Sequence, residues 1–196
     1  MLFRSVWNPP DHFVAAANFP PAGDSYGHYI SLLYEPPDRG KRIIRMLSAG
    51  GTFSVEEFER MQRDVRREDA ARAVSLGLRV ARQREREAKD FREAARILAG
   101  WDLYASEEST GATLFEVFYE KMIENAFRDD LGPELFEEAT RTSRLLWNAM
   151  DRAIERGDSL FLENRETGYR ESIEDLAARD RKSTRLNSSH MSESRM

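Results

Sequence analysis

The chain is organised around the stretch from residue 8 to residue 42, which reads NPPDHFVAAANFPPAGDSYGHYISLLYEPPDRGKR. Its apolar run Phe13 to Ala17 is bounded by proline and polar residues, which is typical of a short buried strand. Asn18 follows, and Pro20 and Pro21 prevent the backbone from continuing a strand ladder. An asparagine amide at a strand end can donate an N–H into a cleft, as in an oxyanion hole. The more common role of such an asparagine is to cap a turn.

Two other strand candidates lie on either side of this run, at Leu2 to Trp7 and at Tyr29 to Tyr34. Short apolar strands need partners, because an isolated hairpin is marginal in water and exposed edges promote aggregation. No later segment has a clear strand pattern. We therefore predict a mainly α-helical chain with a short β portion at residues 1–34, and the missing partners are the first indication of a fragment.

The apolar periodicity is helical from residue 35 to about residue 180. We predict helices over 37–48, 54–67, 69–86, 88–100, 111–128 and 133–156, and the start of another at 171–178. Ser54 and Glu57 form a predicted capping box, and Phe53 with Phe58 a hydrophobic staple. Gly132-Pro133 is expected to break the chain between the last two long helices. The inward-facing side chains include Val65, Leu76, Val80, Leu98, Trp101, Leu114, Phe115, Met122, Ile123, Leu135, Leu145 and Leu146.

The composition bounds the class of protein. The 196 residues are 40% apolar and 33% charged, with a formal charge of −5 and a pI near 5.4. This acidic balance argues against a nucleic-acid partner, which requires a basic face. The absence of cysteine excludes disulfides and thiolate zinc sites. No apolar run reaches the roughly 18 residues of a membrane span, and no secretory signal is recognisable.

The last stretch, residues 181–196, loses all apolar periodicity and is rich in serine and arginine. It looks like translated sequencing-adapter DNA, and an ordinary disordered tail is the alternative. Either origin predicts that this tail packs against nothing, because it brings almost no apolar surface to offset the entropy of ordering.

The stretch 8–42 as a whole resembles part of the penicillin acylase (penicillin amidase) family of N-terminal-nucleophile hydrolases. The matching positions are Asn8-Pro9, Phe13 to Asn18, Arg39, Arg42-Ile43 and Leu47, followed by Gln62, Asp64, Trp101-Asp102, Ser109 and Leu114-Phe115. One departure is Phe19, where many members carry a second asparagine. The resemblance covers roughly residues 3–178.

This resemblance implies an αββα parent fold in which residues 1–34 supply strands of the active-site sheet and residues 35–180 a helical region of the same catalytic domain. It implies hydrolysis of a linear N-acyl amide by an N-terminal serine, freed by self-cleavage and absent from this chain. Asn18 would be an oxyanion donor, and Arg39 would orient polar groups near the site. Acylated amines, β-lactam side chains and homoserine lactones stay open as substrates.

The resemblance also implies partners and a location. The chain would be an inactive internal fragment of the β chain, completed by the α chain and the rest of the β chain, in a periplasmic or extracellular parent enzyme. Some members bind calcium, partly through a carboxylate near the position of His28. Because histidine stands there, we do not predict calcium from this chain, and calcium stays open for the parent enzyme. No other cofactor is predicted. The competing hypothesis is a stand-alone helical protein-interaction module without catalysis.

Overall fold

The computed structural model describes residues 7–20, 26–31, 34–83, 89–157, 162–164 and 168–178. The chain divides into two compact units, an N-terminal unit (Met1–Asp64) and a C-terminal unit (Val65–Met196). The predicted tail 181–196 lies outside the described residues. No described helix is both long and apolar enough to cross a membrane.

The N-terminal unit contains two helices, α1 (Asp38–Leu47) and α2 (Val55–Gln62). At the start of α2, the Ser54 hydroxyl accepts a hydrogen bond from the Glu57 N–H (3.3 Å), and the Ser54 N–H donates to the Glu57 carboxylate (2.7 Å). The rings of Phe53 and Phe58 meet edge to face with centroids 5.7 Å apart. The predicted capping box and staple are therefore confirmed.

The predicted N-terminal strands are not formed in the described residues. Residues 13–17 and 29–31 have no regular secondary structure, and all of the candidate at Leu2 to Trp7 except Trp7 lies outside the described residues. A strand requires a hydrogen-bonded neighbour, and the described residues provide none there. The described strands are instead β1 (Glu163–Asn164) and β2 (Tyr169–Arg170), an antiparallel pair that the sequence did not predict. The chain is mainly helical, as expected.

The second predicted helix, 54–67, extends five residues too far at its C-terminal end, because α2 ends at Gln62. The C-terminal unit begins at Val65, and in it Arg66 forms an antiparallel bridge with Tyr104. The Val65 carbonyl accepts a hydrogen bond from the Ala105 N–H (3.0 Å), and the Leu103 carbonyl accepts one from the Arg67 N–H (2.8 Å). These bonds satisfy the backbone in an extended form, so Val65 is not an inward-facing helical residue and is 46% exposed.

The long helices in the described part of the C-terminal unit are α3 (Ala70–Gln83), α4 (Lys89–Ala99), α5 (Thr110–Thr142) and α6 (Leu145–Arg156). Residues 173–178 are also helical. Helix α3 packs against α4, α5 and α6, and α5 also packs against α4 and α6. The largest fully buried side chains are Phe115, Leu76, Met122, Ile123, Met150, Leu176 and Val80. Burial of this apolar surface is the main stabilising contribution to the unit.

Helix α5 is interrupted where the sequence predicts a break. Gly132 has φ 72° and ψ 163°, outside the helical region, and Pro133 follows it. The predicted helix 133–156 is itself divided at Ser143, whose φ of −152° and ψ of 165° are extended. Leu135 and Leu145, which lie on either side of this second break, are more than half exposed, so the prediction that they face inward is wrong.

Candidate active site

Asn18 lies in a left-handed turn of the N-terminal unit. Its φ is 56°, and its side chain is exposed directly after the buried Ala17. Asparagine tolerates a positive φ better than most other residues with a side chain. The local backbone alone therefore favours asparagine at this position, whatever its amide does.

Two contacts join this turn to the start of α1. The Glu35 N–H donates to the Asn18 carbonyl oxygen at 3.0 Å. The Phe19 ring lies against the backbone of the buried Gly40, so closely that a Cβ on Gly40 would be 2.3 Å from Phe19 Cδ1. The structure thus brings Asn18 to the helix turn that carries Arg39, the second predicted site residue.

Arg39 and Arg42 have different surroundings on α1. Arg39 is exposed in the first turn and makes no ion pair with any described residue. Arg42 binds Asp64 with two hydrogen bonds, Nε to Oδ2 at 2.6 Å and Nη2 to Oδ1 at 3.2 Å. The ion pair is largely buried, with side chains 22% and 11% exposed. It fixes α1 to the chain that follows α2.

The sequence analysis did not predict the Arg42–Asp64 pair, although it noted both residues as matching positions. The sequence feature that could have indicated this ion pair is that both matching positions carry charges, and that these charges are opposite. Because Arg42 is engaged with Asp64, its charge is not directed to solvent, whereas Arg39 and Arg45 of the same helix are exposed.

The two histidines of this unit, His12 and His28, are exposed. His12 has φ 59°, and its N–H donates to the Pro9 carbonyl at 2.9 Å. The His28 ring contacts the Tyr26 ring edge to face at 5.6 Å. Among the described residues, no cluster of three or more histidine or acidic side chains is arranged to hold a metal ion.

The C-terminal unit contains a network of polar side chains that no pattern in the sequence predicted. The Arg67 guanidinium donates to both oxygens of Asp69 (2.6 to 3.0 Å), pairs with Glu116 and lies over the Phe115 ring at 5.4 Å. Burial alone would lower the pKa of Arg67, but the hydrogen bonds and charges of Asp69 and Glu116 outweigh it and raise the pKa. Arg67 therefore has no proton to exchange at neutral pH.

Tyr119 continues the polar layer and is almost fully buried, with its hydroxyl donating to Asp151. Burial and the neighbouring carboxylate of Asp151 raise the pKa of Tyr119. A tyrosine whose pKa is raised stays protonated at neutral pH and cannot act as a base. Arg67 and Tyr119 thus each have a structural partner, and neither side chain can act as a base at neutral pH.

The C-terminal unit also contains an open cleft of about 350 Å³, lined in part by Val117, Phe136 and Trp147. Two of its charged side chains pair with each other, since Glu124 accepts a hydrogen bond from Lys121 at 2.5 Å, and Glu124 also accepts one from Arg128. The Lys121 hydrogen bond and that of Arg128 lower the pKa of Glu124 against the opposing effect of burial. No nucleophile is aligned with a base among these lining residues.

Comparison with known families defines the class of protein. The penicillin amidase family profile matches residues 4–194, and the chain belongs to this family. The match extends into the tail predicted to be adapter-derived, and that origin stays a prediction. No solved structure matches the chain.

The chain is similar to a group of curated bacterial acylases. It is 26% identical to the acyl-homoserine lactone acylase QuiP of Pseudomonas aeruginosa over 193 residues, which covers 91% of this chain and 23% of that protein. It is 24% identical to QuiP of Pseudomonas fluorescens, over 91% of this chain and 24% of that protein. It is 29% identical to QuiP of Pseudomonas syringae pv. syringae, over 68% of this chain and 17% of that protein. The chain thus spans about a quarter or less of these relatives.

Proposed function

We propose that this chain is part of an enzyme that hydrolyses a linear N-acyl amide, with N-acyl-homoserine lactones as the substrate class to test first. Family membership supports the reaction, and the printed names of the relatives support the substrate. The observation that carries the proposal is local. Within the family match, Asn18 presents an exposed side chain from a turn whose backbone is held against the start of α1.

The proposed chemistry needs a nucleophile that this chain does not supply. The hydroxyl of an N-terminal serine, freed by self-cleavage, attacks the amide carbonyl carbon and gives its proton to the serine α-amine. The carbonyl oxygen becomes an oxyanion, to which the Asn18 side-chain N–H donates. The C–N bond then breaks as the amine product takes the proton, and water hydrolyses the acyl ester.

Arg39 has a secondary part in this proposal. Its exposed guanidinium lies in the helix turn beside the Phe19 contact, and it orients polar groups of the substrate or of the rest of the enzyme. The α chain and the rest of the β chain complete the site, and the parent enzyme is periplasmic or extracellular. On this proposal the 196-residue chain is inactive without the N-terminal serine of the complete enzyme.

Product analysis of the full-length protein tests this function. We expect incubation with an N-acyl-homoserine lactone to release the free fatty acid and homoserine lactone, detected by mass spectrometry. An Asn18→Ala variant is the matched control and should release far less of both. If the lactone ring opens while the amide stays intact, or if neither bond is cleaved in any N-acyl amide supplied, the proposed reaction is wrong.

The interaction-module hypothesis has one observation in its favour. Trp7, Tyr29 and Val14 of the N-terminal unit are 95%, 77% and 70% exposed, as expected for a surface that a partner covers. The DNA upstream of Met1 discriminates the two hypotheses. An in-frame extension with a spacer and a serine at the start of the β chain supports the hydrolase, whereas a stop codon and a promoter support the module.

A further inference from the structure

We propose that Phe19 and Gly40 are a pair of positioning residues that sets the placement of the Asn18 amide relative to Arg39. The proposal rests on the proposed function, because it assigns a role to the neighbours of the two proposed site residues. Neither side chain has polar atoms, so the pair acts only through Asn18 and Arg39.

The contact between the two residues is unusually close. A Cβ built on Gly40 would lie 2.3 Å from Cδ1 and 2.5 Å from Cε1 of the Phe19 ring. Carbon atoms that are not bonded to each other prefer separations of about 3.5 to 4.0 Å. Glycine is therefore the residue at position 40 that lets the ring rest on the helix backbone.

The location of Gly40 supports a role other than helix formation. Gly40 is the third residue of α1 and is buried, whereas glycine inside a helix is less favourable than alanine. Its φ is not in the left-handed region, so the backbone does not require glycine. The close approach of the Phe19 ring is the feature of the described residues that requires it.

The contact between Phe19 and Gly40 restrains the two proposed site residues, because each of these residues is bonded to one of them. Phe19 follows Asn18 directly, and Gly40 follows Arg39 directly. The hydrogen bond from the Glu35 N–H to the Asn18 carbonyl is a second restraint between the same two segments. With two restraints, the turn at Asn18 has little freedom to move along or away from the start of α1.

A methyl group at position 40 should displace the Asn18 amide. The ring must retreat by about 1.2 Å or more to reach an ordinary contact distance, and the Phe19 backbone, which is bonded to Asn18, should shift with it. A misplacement of about 1 Å in a catalytic group can cost about a hundredfold in rate. We therefore expect Gly40→Ala to lower kcat by about tenfold to a hundredfold and to change KM by less than about threefold.

The test is a double-mutant cycle in the full-length enzyme, with release of free homoserine lactone from an N-acyl-homoserine lactone as the assay. In the wild-type background, Gly40→Ala should lower kcat as stated above. Phe19→Leu makes room for the methyl group, so adding Gly40→Ala to Phe19→Leu should change kcat by less than about threefold relative to Phe19→Leu alone. Gly27→Ala is the matched control: a Cβ there meets nothing within 4 Å, and kcat should not change.

Each outcome of this cycle either supports or overturns the positioning role of Phe19 and Gly40. If Gly40→Ala alone keeps the wild-type kcat, or if its loss is the same in both backgrounds, the positioning role is overturned. If Gly40→Ala gives no soluble enzyme, recovery of soluble, active enzyme on adding Phe19→Leu supports the pair, and a double variant that stays insoluble or inactive overturns it.

Asn18→Gly, assayed alongside, separates this proposal from the proposed function. If Asn18→Gly abolishes turnover and Gly40→Ala does not affect it, the positioning proposal alone fails. If Asn18→Gly keeps full turnover, the oxyanion role itself fails.

Discussion

The two units of the molecule are stabilised in different ways. In the C-terminal unit, α3, α5 and α6 share a continuous apolar core that includes Leu76, Phe115 and Met150. Among the described residues of the N-terminal unit, Ala17 is the one buried hydrophobic side chain. The proposed site residues therefore lie on the unit with little core of its own.

The N-terminal unit relies on individual contacts instead. The Arg42–Asp64 ion pair, the Ser54 capping box and the Phe19–Gly40 contact each fix one segment to another. Such contacts contribute on the order of 1 kcal/mol each, whereas a buried large side chain contributes several. We therefore expect substitutions in the core of the C-terminal unit to lower the free energy of unfolding by more than substitutions at the individual contacts of the N-terminal unit.

Phe115→Ala should produce the largest loss of stability. The Phe115 ring is 1% exposed and contacts the rings of Trp101 and Tyr119, each with centroids 5.4 Å away. Truncation of such a side chain costs about 3–5 kcal/mol. Urea unfolding of the 196-residue chain, followed by circular dichroism, measures it. Val117→Ala, at a half-exposed position of the same helix, should cost less than about 1 kcal/mol, and equal losses would contradict the assigned core.

Tyr119→Phe should have an intermediate effect with a defined pH dependence. It removes the hydrogen bond to Asp151, which costs about 1.5–3 kcal/mol for a charged acceptor. Burial and Asp151 raise the pKa of Tyr119 above its ordinary value of 10.0. The unfolded chain therefore releases this proton above about pH 10 while the folded chain keeps it, so this contribution is complete below pH 10 and is lost as the pH rises.

The measurement is the unfolding free energy of the two proteins at several pH values. We expect the difference between wild type and Tyr119→Phe to be constant below about pH 10 and to shrink above it. A difference that grows above pH 10 would mean that the hydroxyl is ionised in the folded state.

Ser54→Ala should have the smallest effect and should act on the N-terminal unit. Loss of the cap costs about 1 kcal/mol, because the Glu57 N–H loses its acceptor. Hydrogen exchange should become faster in α2 and stay unchanged in α5. Ser75→Ala is the control, since the Ser75 hydroxyl bonds within its own helix to the Ala71 carbonyl and caps nothing. Faster exchange in α5 would show that the cap stabilises more than α2.

Signals between close neighbours in the sequence were predicted correctly. The Ser54 capping box depends on residues three positions apart, and the break in α5 on the adjacent Gly132 and Pro133. The family was predicted from a pattern of matching positions, and the match over residues 4–194 confirms it.

Features that depend on distant partners were missed. The end of α2 is fixed by pairing of Val65 with Ala105, and the Arg67 network needs Glu116. The Phe19–Gly40 contact has no sequence signal, because nothing in the pattern places an aromatic ring over that glycine. The N-terminal strands depend on neighbours that the described residues do not include, so their pattern alone was insufficient.

A kinetic comparison of three Asn18 variants in the full-length enzyme is the most direct test of the central claim. Asn18→Gly keeps the positive φ without strain but removes the amide, Asn18→Asp replaces the donor by an anion, and Asn18→Ala removes the amide and adds backbone strain. If the amide stabilises the oxyanion, all three should lower kcat by about a hundredfold to a thousandfold, with KM much less changed. If Asn18→Gly instead keeps kcat within about twofold of wild type, Asn18 only shapes the turn, and the proposed catalytic role is contradicted.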